Sequence, residues 1–274
     1  MSITGTVVHS AETRFVEAAA VLQPYVGCFW VITAQRGATI RVVPDGSTAI
    51  FVERRANRSS GWLLRGPLLA PHERRFSSPA TMIGVRLRPG VAFLVTSRAA
   101  DTMLGRRIML SGARYDALAA TKAVSCTPAD TIDTLQRFLI DRLAGAHLHP
   151  IVARAIDAIE RADGCARVAE IAIECGISPR HLGRLMRTWV GYGPKSLARI
   201  VRFQEALTQI ENLRGRRGAA LAADTGYFDQ AHLAWDLSRM AGATPHHLAS
   251  RCVSDFYKTR CDVPLSIPVN DRIA

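Results

Sequence analysis

A chain of 274 residues, 48% apolar and 21% charged, has material for one large domain or two small ones. This balance excludes collagen-like, disulfide-scaffold and disordered classes, and no apolar run approaches the roughly eighteen residues of a bilayer span, so no membrane partner is expected. The formal net charge is +12, and 32 of the 35 basic residues are Arg, which suits a polyanionic partner or a phosphate-bearing ligand.

Residues 1–20 lack the basic-then-apolar pattern of a secretory leader. The six cysteines (Cys28, Cys126, Cys165, Cys175, Cys252, Cys261) contain no CxxC pair and are scattered, as reduced thiols of a cytoplasmic protein are. Residues 20–90 read as β structure. Short runs rich in β-branched and aromatic residues (Cys28–Thr33, Thr39–Val43, Thr48–Val52, Trp62–Leu64, Met82–Leu87) alternate with turn signals such as Pro44-Asp45-Gly46 and Arg88-Pro89-Gly90. Their spacing of roughly ten residues predicts a small barrel or sandwich. From about Val91 the pattern is helical, and Thr131–Leu143 sets Ile132, Leu135, Leu139 and Leu143 on one face. His147 to Pro150 reads as a linker. The chain is helical in period from Ile151 to about Ala249, whereas the stretch from Ser254, with Pro264 and Pro268, has no period and is expected to be loose. The expected divisions are 1–145, 150–252 and a tail at 253–274, in an α+β protein with an all-α second part.

That second part repeats itself. His181-Leu182, Gly191 and Pro194 recur as His232-Leu233, Gly242 and Pro245, each 51 residues later, whereas Gly176 recurs as Gly226 after 50. The second copy therefore has a turn one residue longer. In the first copy, Ala172 leaves room for a crossing helix, Gly176 supplies a left-handed cap, Ser178 an N-cap, and Pro179 the first helical position. Leu182, Leu185 and Met186 point inward; Arg180, Gly183, Arg184 and Arg187 point outward. Two short helices crossing at a glycine turn, with arginines on the free face, read as a helix-turn-helix. On periodicity alone, a helical hairpin with solvated arginines remains the alternative.

Residues 166–250 resemble the DNA-binding domain of the AraC/XylS family of transcriptional regulators. The carrying residues are Ile171-Ala172, Gly176, Ser178, His181-Leu182, Arg184, Gly191, Pro194, Leu197, Arg202 and Ala206, then Leu221-Ala222, Gly226-Tyr227, Asp229-Gln230, His232-Leu233, Gly242 and Thr244-Pro245. The resemblance implies two helix-turn-helix units whose reading helices enter successive major grooves of promoter DNA, joined by a long helix over about Pro194–Ile210. It implies DNA contacts from Arg180, Gly183, Arg184 and Arg187 in the first reader, and from Gln230, Ala231, His232, Ala234 and Trp235 in the second. It also implies an activator that forms a homodimer and engages RNA polymerase, with Thr131–Leu143 as one candidate dimer helix. Trp235 stands where the family usually has Arg, with Asp236 beside it, so the second reader is expected to use apolar contacts or to bind more loosely. Arg216 and Arg217 are either phosphate contacts or solvated charge.

The front part resembles, more weakly, sensor domains found ahead of AraC-type regions, through Tyr25–Trp30, Val43–Gly46 and Gly84–Gly90. A cupin-like ligand-binding and dimerising module is the implied fold. Its arginines point to a small anionic effector: residues 54–107 hold eleven Arg against Glu73 and Asp101 alone. Arg54 to Arg58, flanked by Arg55, has an RxxxR spacing, and Asp45-Gly46-Ser47 supplies DxS; together they are similar to the two halves of the PilZ motif, which binds cyclic di-GMP. Paired guanidiniums suit the phosphates and guanine edges, and Asp and Ser the remaining guanine edge. The order is reversed relative to that motif and Ile50 replaces its glycine. A solvated basic strand edge is the other reading.

No phosphate loop, nucleophile elbow or metal-spaced His/Cys set is present, and the pairs His147/His149 and His246/His247 have no carboxylate or thiol at ligand spacing, so neither enzyme nor cofactor is expected. The remaining alternatives are a cyclic-dinucleotide adaptor with weakened DNA binding and a regulator responding to a neutral small molecule.

Overall fold

The computed structural model describes residues 6–122, 126–212 and 218–242. Arg216, Arg217, Thr244, Pro245, His246, His247, Cys252, Cys261 and the 253–274 tail lie outside the described residues.

Seven strands make one antiparallel sheet: β1 (Thr6–Val16), β2 (Val26–Val42), β3 (Thr48–Arg55), β4 (Arg58–Arg65), β5 (His72–Arg75), β6 (Ala80–Leu87) and β7 (Arg107–Met109). Their order is β1-β2-β6-β3-β4-β7, with β5 paired to β2. Alternation assigns the two faces. Val31, Ile50, Val52, Trp62, Leu64, Ile83, Val85 and Leu87 form one apolar cluster, whereas Cys28, Trp30, Ile32, Ala49, Phe51, Ala80 and Met82 form another on the opposite face. A register shift between Val26 and Cys28 lets Val26 join the first cluster although its parity matches the second. Each fully buried large side chain of this kind, Trp62 and Phe29 among them, contributes about 1.5–3 kcal/mol.

The sheet does not close, because no pairing joins β1 to β7 among the described residues. The expected barrel or sandwich is instead an open sheet bent over itself, and the long strand β2 is the reason. Residues 28–34 of β2 pair with β6 and residues 39–42 with β5. Between these arms Gly37 takes φ +83°, its amide donates to the Phe76 carbonyl at 2.7 Å, and Phe76 N donates to Ala38 O at 2.8 Å. The bend lays Ile40 and Phe76 over Trp30 and Ile32. Gly84 is required where they meet, because a Cβ there would lie 2.6 Å from the Ile50 carbonyl oxygen and 2.6 Å from the Trp30 ring.

Helices α1 (Val91–Thr96) and α2 (Pro128–Leu143) cover the first face. Thr127 and Asp130 cap α2 reciprocally, which starts it three residues before the periodic stretch. Ile132, Leu135, Phe138, Leu139 and Leu143 of α2 are buried against the chain's own sheet, so the apolar stripe offered for dimerisation is already used.

The remaining helices are α3 (Pro150–Arg161), α4 (Val168–Glu174), α5 (Pro179–Val190), α6 (Pro194–Asn212), α7 (Gly218–Asp224) and α8 (Gln230–Ala241). They share one core built on Leu182, Met186, Phe203, Leu207, Leu233 and Leu237, joined by Val43 from the sheet part. No helix among the described residues is long and apolar enough to cross a membrane.

The sheet part grips the helical part at several places. Phe93 of α1 stacks on Trp189 of α5 with centroids 4.2 Å apart. Gly191, at φ +100°, ends α5 where a Cβ would meet Pro67 Cγ at 2.7 Å. Gln204 Nε2 of α6 donates to Pro44 O at 2.6 Å, and Arg41 Nη1 donates to Ala241 O at the end of α8 at 3.3 Å.

Candidate nucleic-acid interface and internal cavity

The first helix-turn-helix follows from its punctuation. Gly176 takes φ +68°, its amide donates to Ile173 O at 2.9 Å, and Ile177 N donates to Ala172 O at 3.0 Å, which closes α4. Ser178 then accepts from His181 N at 3.2 Å to open α5. Arg180, Arg184 and Arg187 are exposed and, with Ser178 and His181, line one shallow cleft. None of the three arginines makes an ion pair among the described residues. Gly183 differs from expectation: it is buried, and the Arg187 guanidinium lies 3.6 Å from where its Cβ would be. It serves as a seat for Arg187 rather than as a reading surface.

The second unit repeats this cap, with Gly226 at φ +70°, Tyr227 N donating to Ala222 O at 2.8 Å, and Asp229 Oδ1 accepting from His232 N at 2.7 Å. The residue that lengthens this turn is Phe228, which is 93% exposed. Gln230 and Ala231 are exposed, while His232 and Ala234 are half-buried. His232 meets the Tyr227 ring edge-on at 5.1 Å.

Asp236 faces inward and is wholly buried. Its Oδ1 accepts from Arg199 Nε of α6 at 2.7 Å, with Nη2 at 2.6 Å. The same guanidinium lies over the Trp235 ring at 4.5 Å, and Arg239 approaches that ring at 5.3 Å. Asp236 is therefore a brace between α6 and α8, not a repulsive charge facing DNA. The Trp235 ring thus holds two guanidiniums beside it. Burial, with the Asp236 charge beside it, raises the pKa of Tyr227 and keeps the phenol neutral.

The five residues of the nucleotide-type motif are not brought together. Asp45 and Ser47 precede β3 and Arg54 and Arg55 end it, a separation of about 23 Å along an extended strand. Arg54 is buried on the α2 side, donating to Cys126 O at 2.6 Å and Thr131 Oγ1 at 2.7 Å. Arg55 turns to Glu53 at 3.0 Å, and Arg58 is exposed at the start of β4. Alternation splits the RxxxR arginines, so one phosphate cannot be shared between them.

Asp45 belongs to a different site. It faces a narrow cavity of about 30 Å³ on the second face of the sheet, with walls that include Trp30, Ile32, Ile40 and Met82. The other polar members are Arg65, Arg86 and, from the helical part, Gln204. Asp45 Oδ2 lies 3.2 Å from Arg86 Nε, and its Oδ1 accepts from Ser47 N at 2.9 Å and Ser47 Oγ at 2.7 Å. Arg65 makes no ion pair within 4 Å among the described residues. Burial lowers its pKa, partly offset by Asp45 and reinforced by Arg86 and Arg107. Sequence reasoning missed Arg65 and Arg86 because they sit singly in apolar strands, and Gln204 because it comes from another part of the chain.

Comparisons with known proteins accord with this division. Residues 165–251 match a family model described as a helix-turn-helix domain, and residues 14–109 match a domain of unknown function. No curated protein matches the chain. Among solved structures, the C-terminal domain of AraT, a response regulator from Geobacillus stearothermophilus, is 21% identical over 39% of this chain and 91% of that one, with a TM-score of 0.36. A probable AraC family transcriptional regulator from Rhodopseudomonas palustris CGA009 is 24% identical over 38% and 97%, with a TM-score of 0.35. ToxT from Vibrio cholerae, in a structure with unsaturated fatty acid bound, is 11% identical over 90% and 96%, with a TM-score of 0.40. The matched helices, their two glycine-capped turns and the arginines on α5 agree: residues 165–251 are a helix-turn-helix domain, the DNA-binding module of a transcription regulator.

Proposed function

We propose that this protein is an AraC-type transcription regulator whose sheet part holds a small anionic effector with an apolar body. The observation that carries the DNA-binding reading is the exposed face of α5, where Arg180, Arg184 and Arg187 have no carboxylate partner among the described residues. A capped helix with three free guanidiniums fits a major groove, with Arg to guanine O6/N7 or to phosphate. α8 adds Gln230, Ala231, His232, Ala234 and the Trp235 platform. The effector reading rests on Arg65 and Arg86 set in apolar walls with one carboxylate between them. On the family resemblance, the protein acts in the cytoplasm as a homodimeric activator that engages RNA polymerase.

The test is fluorescence anisotropy with a random-sequence duplex pool from about 50 to about 200 mM salt, followed by selection of bound sequences. Affinity falls steeply with salt. Arg184→Ala reduces the salt slope by about 1 if it contacts phosphate, or relaxes one selected base position if it reads a guanine. Salt-independent binding, or an unchanged Arg180→Ala/Arg184→Ala variant, refutes the reading.

A further inference from the structure

We propose that the Asp45 carboxylate occupies, on Arg86, the place of the effector's own acid group, and that the effector's arrival there releases the 43–47 loop from α6. The inference rests on the anionic-effector reading above and adds how that site is coupled to the DNA-binding helices.

The first argument is charge. Two guanidiniums, Arg65 and Arg86, line the cavity, and Asp45 is the one carboxylate among its lining residues. Arg65 has no ion pair within 4 Å among the described residues, and Arg86 and Arg107 add like charge beside it. Guanidiniums only partly offset in an apolar setting are costly, so an acid group is held there, whether that of Asp45 or of an effector.

The second argument is space. A cavity of about 30 Å³ has room for water but not for an organic acid. An effector enters only when a wall moves. Asp45 is the wall that is itself an anion on the required cation, and it sits on a short loop between β2 and β3. Ser47 N and Oγ, the other two donors to its carboxylate, belong to that same loop and move with it.

The third argument is connection. The residues on either side of Asp45 are both docked on the helical part. The Pro44 carbonyl accepts from Gln204 Nε2 at 2.6 Å. A Cβ at Gly46 would lie 3.3 Å from Leu197 Cδ1 and 3.7 Å from the Tyr192 hydroxyl. Val43 lies in the helical core, and the Tyr192 hydroxyl is buried without a hydrogen-bond partner among the described residues. Displacement of the loop that carries Asp45 therefore disturbs the seats of Leu197 and Gln204 on α6. Since α6 carries Arg199, the brace of α8, a change at Arg86 reaches the second reading helix through α6 and the Arg199–Asp236 ion pair.

The experiment is calorimetric titration of the full chain with octanoate, and with octanol as the uncharged control. It is paired with hydrogen exchange across residues 194–204 with and without octanoate. Octanoate binds the unmodified protein and octanol does not. Asp45→Asn removes the competing charge and binds octanoate at least about tenfold tighter, whereas Arg86→Gln binds at least about tenfold weaker. Octanoate speeds exchange along α6. Equal or weaker binding by Asp45→Asn, or α6 exchange that does not move at saturation, overturns the proposal. Binding that is alike in the unmodified protein and Asp45→Asn but lost in Arg86→Gln overturns the proposal and leaves the effector reading standing. Absence of binding in both removes the effector reading together with it, while the DNA test stands apart. Should Asp45→Asn fail to fold, Ser47→Ala keeps the charge and drops one donor; a gain of a few-fold is expected, and no gain overturns the proposal.

Discussion

Replacing Arg199 with Met tests how firmly α8 is held. Asp236 is wholly buried and its Oδ1 lies 2.7 Å from Arg199 Nε, while the Arg199 side chain retains 27% exposure. At an effective dielectric of about 20, unit charges at that distance attract by roughly 6 kcal/mol, and desolvation of Asp236 offsets part of this. Breaking such a pair by removing one partner costs about 3–5 kcal/mol, and the partial exposure of Arg199 places this case near the lower end, about 3 kcal/mol. Loss of the Arg199–Trp235 contact adds about 0.5–1 kcal/mol. At about 2–4 °C per kcal/mol for a chain of this size, Tm falls by roughly 6–15 °C, read by circular dichroism and by urea titration. Arg199→Met with Asp236→Leu removes both charges and recovers most of the loss. A single variant that loses less than about 1 kcal/mol, or a double variant as unstable as the single, refutes the assignment of this pair as the brace.

Three further outcomes are expected. Gly84→Ala forces a methyl to 2.6 Å from the Ile50 carbonyl and should cost about 1–3 kcal/mol in urea unfolding. Trp235→Ala frees Arg239 from its ring and should weaken duplex binding about two- to fivefold in anisotropy, with Trp235→Phe recovering part of it. Burial, with His181 adding to it, lowers the pKa of His149; burial, with Arg65, Arg107 and Arg74 adding to it, lowers that of His72. Both favour the neutral imidazole when folded, so stability is full above about pH 6.5 and falls as the pH drops below it; His149→Asn, which keeps an acceptor for Ile151 N, should flatten that decline in urea midpoints.

The helical part was legible because its signals are local. Ser178, Pro179 and Gly176 each fix one backbone position, and Asp229, 51 residues after Ser178, caps α8 in the structure. What escaped was non-local. The arginines of 54–107 looked like one basic surface, yet alternation and a bend divide them: Arg54 goes to α2, Arg86 to the cavity, and Arg74 to Glu53. Asp236 read as a defect in a DNA-facing helix because its partner, Arg199, lies 37 residues away on another helix. Gly183 read as exposed on a helical wheel because the wheel does not show Arg187 folding back over it. A barrel was expected from strand spacing, but spacing carries no information about which halves of a 17-residue strand pair with which neighbours.

The front part holds α5 at Trp189 and Gly191 and α8 at Ala241, in each case near the C-terminal end, leaving the N-terminal turns of both readers uncovered. The distance between the two readers is thus clamped from outside as well as by α6. The separation of α5 and α8 becomes a property of the entire chain: a fragment beginning at α3 would keep both helices and lose the jig that sets them apart.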